Sequence, residues 1–293
     1  MLRWILVALG CCLCFVARAD QDEPRILILG DSITYGGNWV VSVESAIRAQ
    51  RGLSRIPIAN LALPSETASG LSEPGHAGGS FPRPDLQERL GRVLSQYKPT
   101  LVLACYGIND GLYLPLDSAR TQAFRNGIIK LRQACIQAGA KVIIITPPLY
   151  APDRPKDFIN YDGVLDTYAQ WLVEQRAASW QVIDIRPHLR EAIAGAKKEA
   201  PKFIYAKDGI HPGPEGHTFI AQAVWSQLAP MMKWKLDTPF ADGPKFKLLQ
   251  QSMTVLRDAW LKQTGHLRPG LPSGLPLEQA EARSNAYLRE YFK

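Results

Sequence analysis

The segment RILILGDSITYGG, Arg25 to Gly37, places an apolar run directly before Gly30, Asp31 and Ser32. The run predicts a buried strand that ends at these three residues. Gly, Asp and Ser are common turn residues, so an ordinary strand end is one interpretation. A serine at the carboxyl end of a strand, beside a helix start, is also where an α/β protein can place a nucleophile. This segment alone leaves both interpretations open.

Apolar strand-like runs alternate with helix-like segments along most of the chain. The predicted strands are Arg25–Leu29, Arg55–Leu61, Leu101–Cys105, Val142–Thr146 and Val182–Ile185. The predicted helices are Trp39–Arg51, Asp85–Tyr97, one from Asp117 or Ser118 to Gly139, one that ends at Leu172, and Pro214–Met232. Alternating units with apolar strands predict a parallel sheet covered by helices on both faces. Five such strands commonly take the order 2-1-3-4-5, with a ligand site between the ends of strands 1 and 3.

The N-terminus has the pattern of an export signal. Arg3 precedes an apolar stretch from Trp4 to Val16, and an A-x-A cleavage pattern occupies residues 17–19. The stretch is too short for a spanning helix of about 20 apolar residues. We therefore predict a signal peptide, residues 1–19, an extracytoplasmic (periplasmic or secreted) mature protein, and no stable membrane insertion after cleavage. A retained anchor and a lipoprotein cleaved before Cys11 are the alternatives.

The C-terminal region changes character after about residue 233. A helical stripe of Leu249, Met253, Leu256 and Trp260 precedes a turn rich in Gly and Pro, and a further helix is predicted over Leu277–Tyr291. We interpret residues 234–293 as a helical extension that packs on a core domain of residues 20–233.

Composition argues against several classes of partner and cofactor. The net charge of +7 is scattered, without a run of Lys and Arg interleaved with aromatic residues, so a nucleic-acid surface is not indicated. Cys105 and Cys135 are the cysteines outside the signal, too few for a disulfide framework. The sequence has neither a CxxC nor a paired-histidine ligand spacing, and the first strand end has no G-x-G-x-x-G or P-loop. We expect no metal and no cofactor.

Two further segments carry residues suited to catalysis. The segment YGIND follows strand 3 and ends in Asn109 and Asp110, next to Ser32 under the predicted strand order. The segment KDGIHPGPEGH carries Asp208 and His211 in a loop before the last core helix. A serine needs a positioned base, and a carboxylate beside a histidine can orient it. Turn and cap roles are the structural alternatives, and His217 is interpreted as a helix-surface residue.

These motifs resemble those of the SGNH hydrolases, also called GDSL esterases and lipases. GDSIT matches the nucleophile block, GIND the G-x-N-D block and DGIHP the D-x-x-H block, in the family's order. The resemblance spans about Arg25 to Met232 and implies a three-layer α/β/α flavodoxin-like fold. It also implies ester hydrolysis through an acyl-enzyme, with Ser32 as nucleophile, His211 as base and then acid, and Asp208 orienting it. The loop at 69–85 and the tail at 260–277 are similar to those of secreted bacterial members.

The chain departs from the family in the second block, NLALPSET at 60–67. The resemblance implies an oxyanion hole formed by the backbone N–H of Ser32, the side-chain amide of Asn109 and a backbone N–H in this block. The family usually has Gly at that position, where this chain has Ser65. A backbone N–H does not require glycine, so Ser65 can donate if its φ and ψ are allowed. Gly70 is the rival, but it lies beyond Thr67 and fits the register worse.

The expected function is hydrolysis of a soluble ester, favouring acetyl or other short acyl groups on carbohydrate. The partner is therefore a small-molecule or carbohydrate ester, and the oligomeric state is left open. A lipid or thioester acylhydrolase is the alternative within the same class. A catalytically silent carbohydrate-binding member is the alternative from another class, disfavoured because a binding module needs no nucleophile and base.

Overall fold

The computed structural model describes residues 24–150, 153 and 159–293. Its centre is a parallel sheet in the order β2-β1-β3-β4-β5, as predicted. The strands are β1 (Ile26–Gly30), β2 (Ile58–Asn60), β3 (Leu101–Cys105), β4 (Lys141–Ile145) and β5 (Gln181–Ile183). The predicted signal peptide lies outside the described residues.

Helices surround the sheet and continue beyond it. They are α1 (Ser32–Gly36), α2 (Asn38–Arg48), α3 (Leu86–Tyr97), α4 (Ser118–Gln137), α5 (Tyr161–Glu174), α6 (Arg186–Glu199), α7 (Pro214–Met232), α8 (Gly243–Thr264) and α9 (Leu277–Tyr291). The predicted α7 and α9 have the observed bounds, and the predicted α2 ran three residues too far. Neither α1 nor α6 was predicted. The α6 segment has Pro187 in its first turn and buries Leu189 and Ile193, which is a recognisable helix pattern.

The three-layer α/β/α prediction is confirmed. Every residue of β1 and β3 is buried, as expected for central strands between two helical layers. The register pairs Ile26 with Leu101 and Gly30 with Cys105, so both strands end at the same level. The chain after β2 stays beside β1, because the Leu63 N–H donates to the Gly30 carbonyl at 2.9 Å. Three loops therefore leave the sheet side by side at one edge.

Two glycines allow close approaches near this edge. A Cβ at Gly30 would lie 2.8 Å from the Cys105 carbonyl oxygen and 2.5 Å from Thr34 Oγ1. A Cβ at Gly127, inside α4, would lie 2.1 Å from the backbone carbonyl oxygen of Ala68. Backbone atoms cannot move aside as a flexible side chain can. Gly127 therefore lets α4 pack directly on the loop that follows β2.

The C-terminal region forms α8 and α9, which pack on each other. Helix α8 also lies against α2 and β2. The Asn60 side-chain amide donates to Met253 Sδ at 3.7 Å, and the hydroxyls of Ser252 and Ser284 join α8 to α9 at 2.7 Å. Within the described ranges, no helix combines the length and apolar character that crossing a membrane requires.

The close packing at Gly127 can be tested against a second helical glycine. We expect Gly127→Ala to lower the free energy of unfolding by about 1–3 kcal/mol, because its methyl group overlaps backbone atoms. Gly91 is exposed in α3, and a Cβ there meets nothing within 4 Å. Gly91→Ala should leave stability unchanged or raise it by about 0.5–1 kcal/mol, since alanine favours the helix. Urea unfolding followed by circular dichroism compares the two, and equal effects would contradict this packing.

Candidate active site

Ser32 lies where β1 gives way to α1. It is the first residue of the helix, so its N–H has no acceptor within α1. Asp31 is the N-cap, and its Oδ1 accepts a hydrogen bond from the Ile33 N–H at 3.0 Å. The Asp31 side chain is thus turned into the protein, whereas Ser32 is only partly buried. The Ser32 hydroxyl is presented at the sheet edge.

His211 contacts Ser32 directly. Its Nε2 lies 2.8 Å from Ser32 Oγ, and its Nδ1 lies 2.6 Å from Asp208 Oδ2. With a carboxylate on Nδ1, that nitrogen carries the proton and Nε2 is left to accept one from the serine. The structure therefore brings the three predicted residues into one hydrogen-bonded series, which is the arrangement that nucleophilic catalysis by serine requires.

The Asp208 carboxylate is held by the turn between it and His211. Its Oδ1 accepts hydrogen bonds from the N–H groups of Ile210 and His211, both at 2.8 Å. Partial burial acts to raise the pKa of Asp208, but the hydrogen bonds from the His211 side chain and from these two N–H groups outweigh it. The pKa falls to about 2. Asp208 therefore stays ionised across the physiological range, and its carboxylate can hold the orientation of the imidazole.

Asn109 and Ser65 lie on the neighbouring loops. Asn109 is buried, and its Nδ2 donates to the Glu66 carbonyl oxygen at 3.1 Å. Ser65 thus stands between Leu63, which is bonded to the end of β1, and Glu66, which is bonded to Asn109. Its φ is 67°, in the left-handed region that favours glycine. Glycine is also the residue that the family named above usually has at this position. Within the described residues, the Ser65 N–H donates no hydrogen bond.

Gly70 occupies a different environment from Ser65. Its φ of 74° also requires glycine-like freedom, but a Cβ there would lie 2.9 Å from Asp85 Oδ2. Gly70 lies past the bridge that pairs Thr67 with Asp85, toward the start of α3. Gly70 therefore packs closely against the side chain of Asp85, the α3 N-cap.

Ionisable residues that bind one another underlie this edge of the sheet. Glu66 forms a two-point ion pair with Arg89, at 2.5 and 2.7 Å, and also accepts from the Tyr106 hydroxyl at 2.6 Å. Arg89 Nη2 also donates a hydrogen bond to the Leu61 carbonyl oxygen at 2.7 Å. All three side chains are almost fully buried. The network fixes both ends of the loop that carries Ser65.

Two other buried carboxyl groups lie next to the site. Burial raises the pKa of Asp31 to about 7, against the hydrogen bond from Ile33 and with help from the charges of Asp110 and Glu66. Burial likewise raises the pKa of Asp110 to about 6, although hydrogen bonds from Ser69 oppose it. Among the described residues, no group of three or more His, Cys, Asp or Glu side chains is arranged to hold a metal ion.

The C-terminal region contacts the loops of the site. Arg257 in α8 donates to the Tyr35 carbonyl at 2.8 Å and lies 3.8 Å from the centroid of the Tyr35 ring. Arg268, after α8, donates to the Pro64 carbonyl at 3.0 Å. These contacts reach the end of α1 and the residue before Ser65.

Several site features were missed or misassigned from the sequence. His217, expected on a helix surface, is buried, and burial lowers its pKa to about 4. Arg83 was not singled out, yet its Nη1 donates to Asn109 Oδ1 at 3.1 Å. No periodicity marks Arg83, which lies between two prolines in an irregular loop. Its contact depends on the fold of the chain around it.

Comparisons with known proteins match this chain to one family and to named relatives. The sequence profile of the GDSL-like Lipase/Acylhydrolase family matches residues 28–219. An arylesterase of Vibrio mimicus is 25% identical over 237 residues, covering 78% of this chain and 98% of the relative. Esterase TesA of Pseudomonas aeruginosa is 25% identical over 231 residues, covering 75% of this chain and 96% of the relative.

Solved structures share the fold. A catalytic mutant of Axe2, an acetylxylan esterase from Geobacillus stearothermophilus, aligns with a TM-score of 0.53 and 18% identity, covering 73% of this chain and 96% of that one. The acetyl xylan esterase AlAXEase aligns with a TM-score of 0.52 and 18% identity, covering 69% of this chain and 98% of that one. At this identity the likeness concerns the fold alone.

Because the Asp31 carboxyl is buried, we predict that replacing it stabilises the protein by an amount that depends on pH. Its pKa is about 7 in the folded protein against an ordinary 3.8, so the folded state binds the proton more tightly. Stability therefore falls as the pH rises from about 4 to 7. Asp31→Asn keeps an acceptor for the Ile33 N–H and removes this loss. At roughly 1.36 kcal/mol per pKa unit, we expect a gain of about 2–4 kcal/mol at pH 8 and little at pH 4.

Urea unfolding at pH 4, 6 and 8 measures this effect. Asp117 is the matched control, because it caps α4 through the Arg120 N–H while its side chain is 43% exposed. Asp117→Asn should show no gain of stability at pH 8, since water already solvates the Asp117 charge. A gain in Asp31→Asn that is the same at every pH would contradict the burial argument.

Proposed function

Because the chain belongs to the GDSL-like lipase/acylhydrolase family, we propose that it is a serine ester hydrolase that works through an acyl-enzyme. The observation that carries the proposal is the hydrogen-bonded series from Ser32 Oγ to His211 Nε2, and from His211 Nδ1 to Asp208 Oδ2. A serine with a hydrogen-bonded base and a carboxylate behind it is equipped for attack on a carbonyl carbon.

The reaction follows from this order of groups. Ser32 Oγ attacks the acyl carbon while His211 Nε2 takes its proton, and the carbonyl oxygen becomes an oxyanion. As the tetrahedral species collapses, His211 gives that proton to the departing alcohol oxygen, which leaves Ser32 acylated. His211 then takes a proton from water as the water attacks the acyl group. Collapse returns the proton to Ser32 and releases the acid.

Three N–H groups are proposed to stabilise the oxyanion. They are the backbone N–H groups of Ser32 and Ser65 and the remaining N–H of Asn109 Nδ2. Support for Ser65 comes from its φ of 67°, its N–H without an acceptor among the described residues, and its place between loops bonded to β1 and to Asn109. Gly70 has the less suitable position, against Asp85.

The proposed substrate is a short-acyl ester of carbohydrate, an acetyl ester above all. Two solved structures with this fold are named as acetylxylan esterases, which supports the choice. Polar side chains also lie beside Asn109, where Arg83 and the Tyr113 hydroxyl both contact its Oδ1. A long acyl chain would gain little from such neighbours.

A lipid or thioester acylhydrolase is the second candidate, favoured by a different observation. Leu114 and Leu116, in the loop after β3, are 42% and 58% exposed. A pocket beside His211 is lined in part by Phe203, Ile204 and Tyr205, and Ile204 is 52% exposed. Apolar side chains at this edge could receive an acyl chain.

The proposed organisation of the chain follows its sequence pattern. We propose a signal peptide of residues 1–19, a hydrolase domain of residues 20–233 and an extension of residues 234–293 whose contacts with Tyr35 and Pro64 join it to the site. The proposed location is extracytoplasmic. A mature N-terminus at Asp20 would agree with export, and a retained Met1 in the exported fraction would contradict the cleavage.

Hydrolysis of p-nitrophenyl esters from acetyl to palmitoyl tests the function. We expect rates to fall steeply beyond butyryl, and Ser32→Ala to lose about 10³-fold or more in kcat, because the nucleophile is gone. Ser95, an exposed serine in α3, provides the control, and Ser95→Ala should keep full activity. A preference for long chains would favour the second candidate. Full activity in Ser32→Ala would contradict the mechanism.

A further inference from the structure

The Asn109 side-chain amide is held at both of its ends. Its Oδ1 accepts hydrogen bonds from Arg83 Nη1 at 3.1 Å and from the Tyr113 hydroxyl at 2.9 Å. Its Nδ2 gives one N–H to the Glu66 carbonyl at 3.1 Å. A carbonyl oxygen has two lone pairs, and here both have donors, whereas the NH₂ group has a second N–H to offer. The contacts therefore determine which end of the amide faces the reacting carbonyl.

Arg83 is well placed to enforce this orientation. Its side chain is 6% exposed, and its Nε and Nη2 bind the two carboxylate oxygens of Glu73 at 2.6 and 2.7 Å. The guanidinium carbon also lies 5.4 Å from the centroid of the Tyr113 ring. A two-point ion pair fixes the plane of a guanidinium, so Nη1 is aimed at Asn109 with little freedom to turn.

We propose that Arg83, held by Glu73, is a positioning residue for the oxyanion hole. This inference rests on the proposed function and names a residue that acts through Asn109 without touching the substrate. By donating to Oδ1, Arg83 opposes rotation of the amide by half a turn. The rotated amide would present its carbonyl oxygen to the oxyanion, exchanging a stabilising donor for a repelling acceptor.

An irregular loop supports Asn109 through Arg83. Glu73 lies in the loop between β2 and α3, its side chain is 31% exposed, and it also contacts His76 Nδ1 at 3.3 Å. This loop thus reaches the oxyanion hole through one ion pair and one hydrogen bond. Removing one oxyanion donor costs roughly 10²–10³-fold in kcat. Tyr113 still donates to Oδ1 when Arg83 is lost, so the expected loss is smaller.

Steady-state kinetics on p-nitrophenyl acetate test the proposal. We expect Arg83→Met to lower kcat by about 10–100-fold with KM changed less than about threefold, because the contact acts on the transition state. Arg83→Lys, which keeps a charged donor, should recover part of the loss. Arg283 is the matched control: it is exposed on α9, donates to the Tyr287 hydroxyl at 3.2 Å and faces that ring. Arg283→Met should behave as wild type.

A double-mutant cycle shows whether Arg83 acts through Asn109. In an Asn109→Ala background, Arg83→Met should cause little further loss, because the amide it orients is absent. Fully additive losses would overturn the proposal, as would an unchanged kcat in Arg83→Met. A raised KM with an unchanged kcat would assign Arg83 to substrate binding instead, which also contradicts positioning.

A second measurement does not depend on turnover. The Asn109 side-chain NH₂ signals in a ¹H–¹⁵N NMR spectrum, assigned by their loss in Asn109→Ala, should shift or broaden in Arg83→Met and not in Arg283→Met. Unchanged signals would overturn the inference. Failure of the proposed function itself is recognised separately, by ester hydrolysis that survives in Ser32→Ala.

Discussion

The parallel register of β1 with β3 determines where the candidate catalytic groups lie. Gly30 pairs with Cys105 at the ends of the two strands, and the missing side chain at Gly30 leaves room for α1 to begin there. Ser32 and the loop that carries Asn109 therefore leave the sheet at one level, on strands about 4.8 Å apart. His211 and Asp208 come from a distant part of the chain, the loop before α7. Ser32 and Asn109 depend on the correct pairing of strands in the sheet, whereas His211 and Asp208 depend on the turn between them.

Carboxyl groups around the site serve two different purposes. Burial raises the pKa of Asp31 to about 7 and that of Asp110 to about 6, and each accepts a backbone N–H from Ile33 or Ser69. These two carboxyl groups stabilise loops through hydrogen bonds, but their burial costs the free energy with which water would solvate a charge. Asp208 is instead half exposed, and its hydrogen bonds lower its pKa to about 2. The Asp208 carboxylate thus stays charged beside His211 Nδ1, where water can also solvate it.

The fold could be predicted from the sequence, and so could the candidate residues that the structure brings together, because both are marked by local patterns. The buried strands stand out in single segments, as do the Gly-Asp-Ser and Gly-x-Asn-Asp motifs after β1 and β3 and the Asp-x-x-His motif before α7. The predicted strand order matches the structure. Arg83 did not stand out, because its contact with Asn109 joins residues 26 positions apart. The burial of His217 was missed for a similar reason, since it depends on packing against the rest of the chain. Helix α1 escaped notice because five residues are too few to show a period.

The residue that becomes acylated during turnover identifies the nucleophile. The enzyme is mixed with p-nitrophenyl acetate, quenched in acid during turnover, digested and analysed by mass spectrometry. We expect one acetyl group on the peptide that contains Ser32, with fragment ions that assign it to that serine. Turnover without any acetylated enzyme, or an acetyl group confined to another residue, would contradict a mechanism through Ser32.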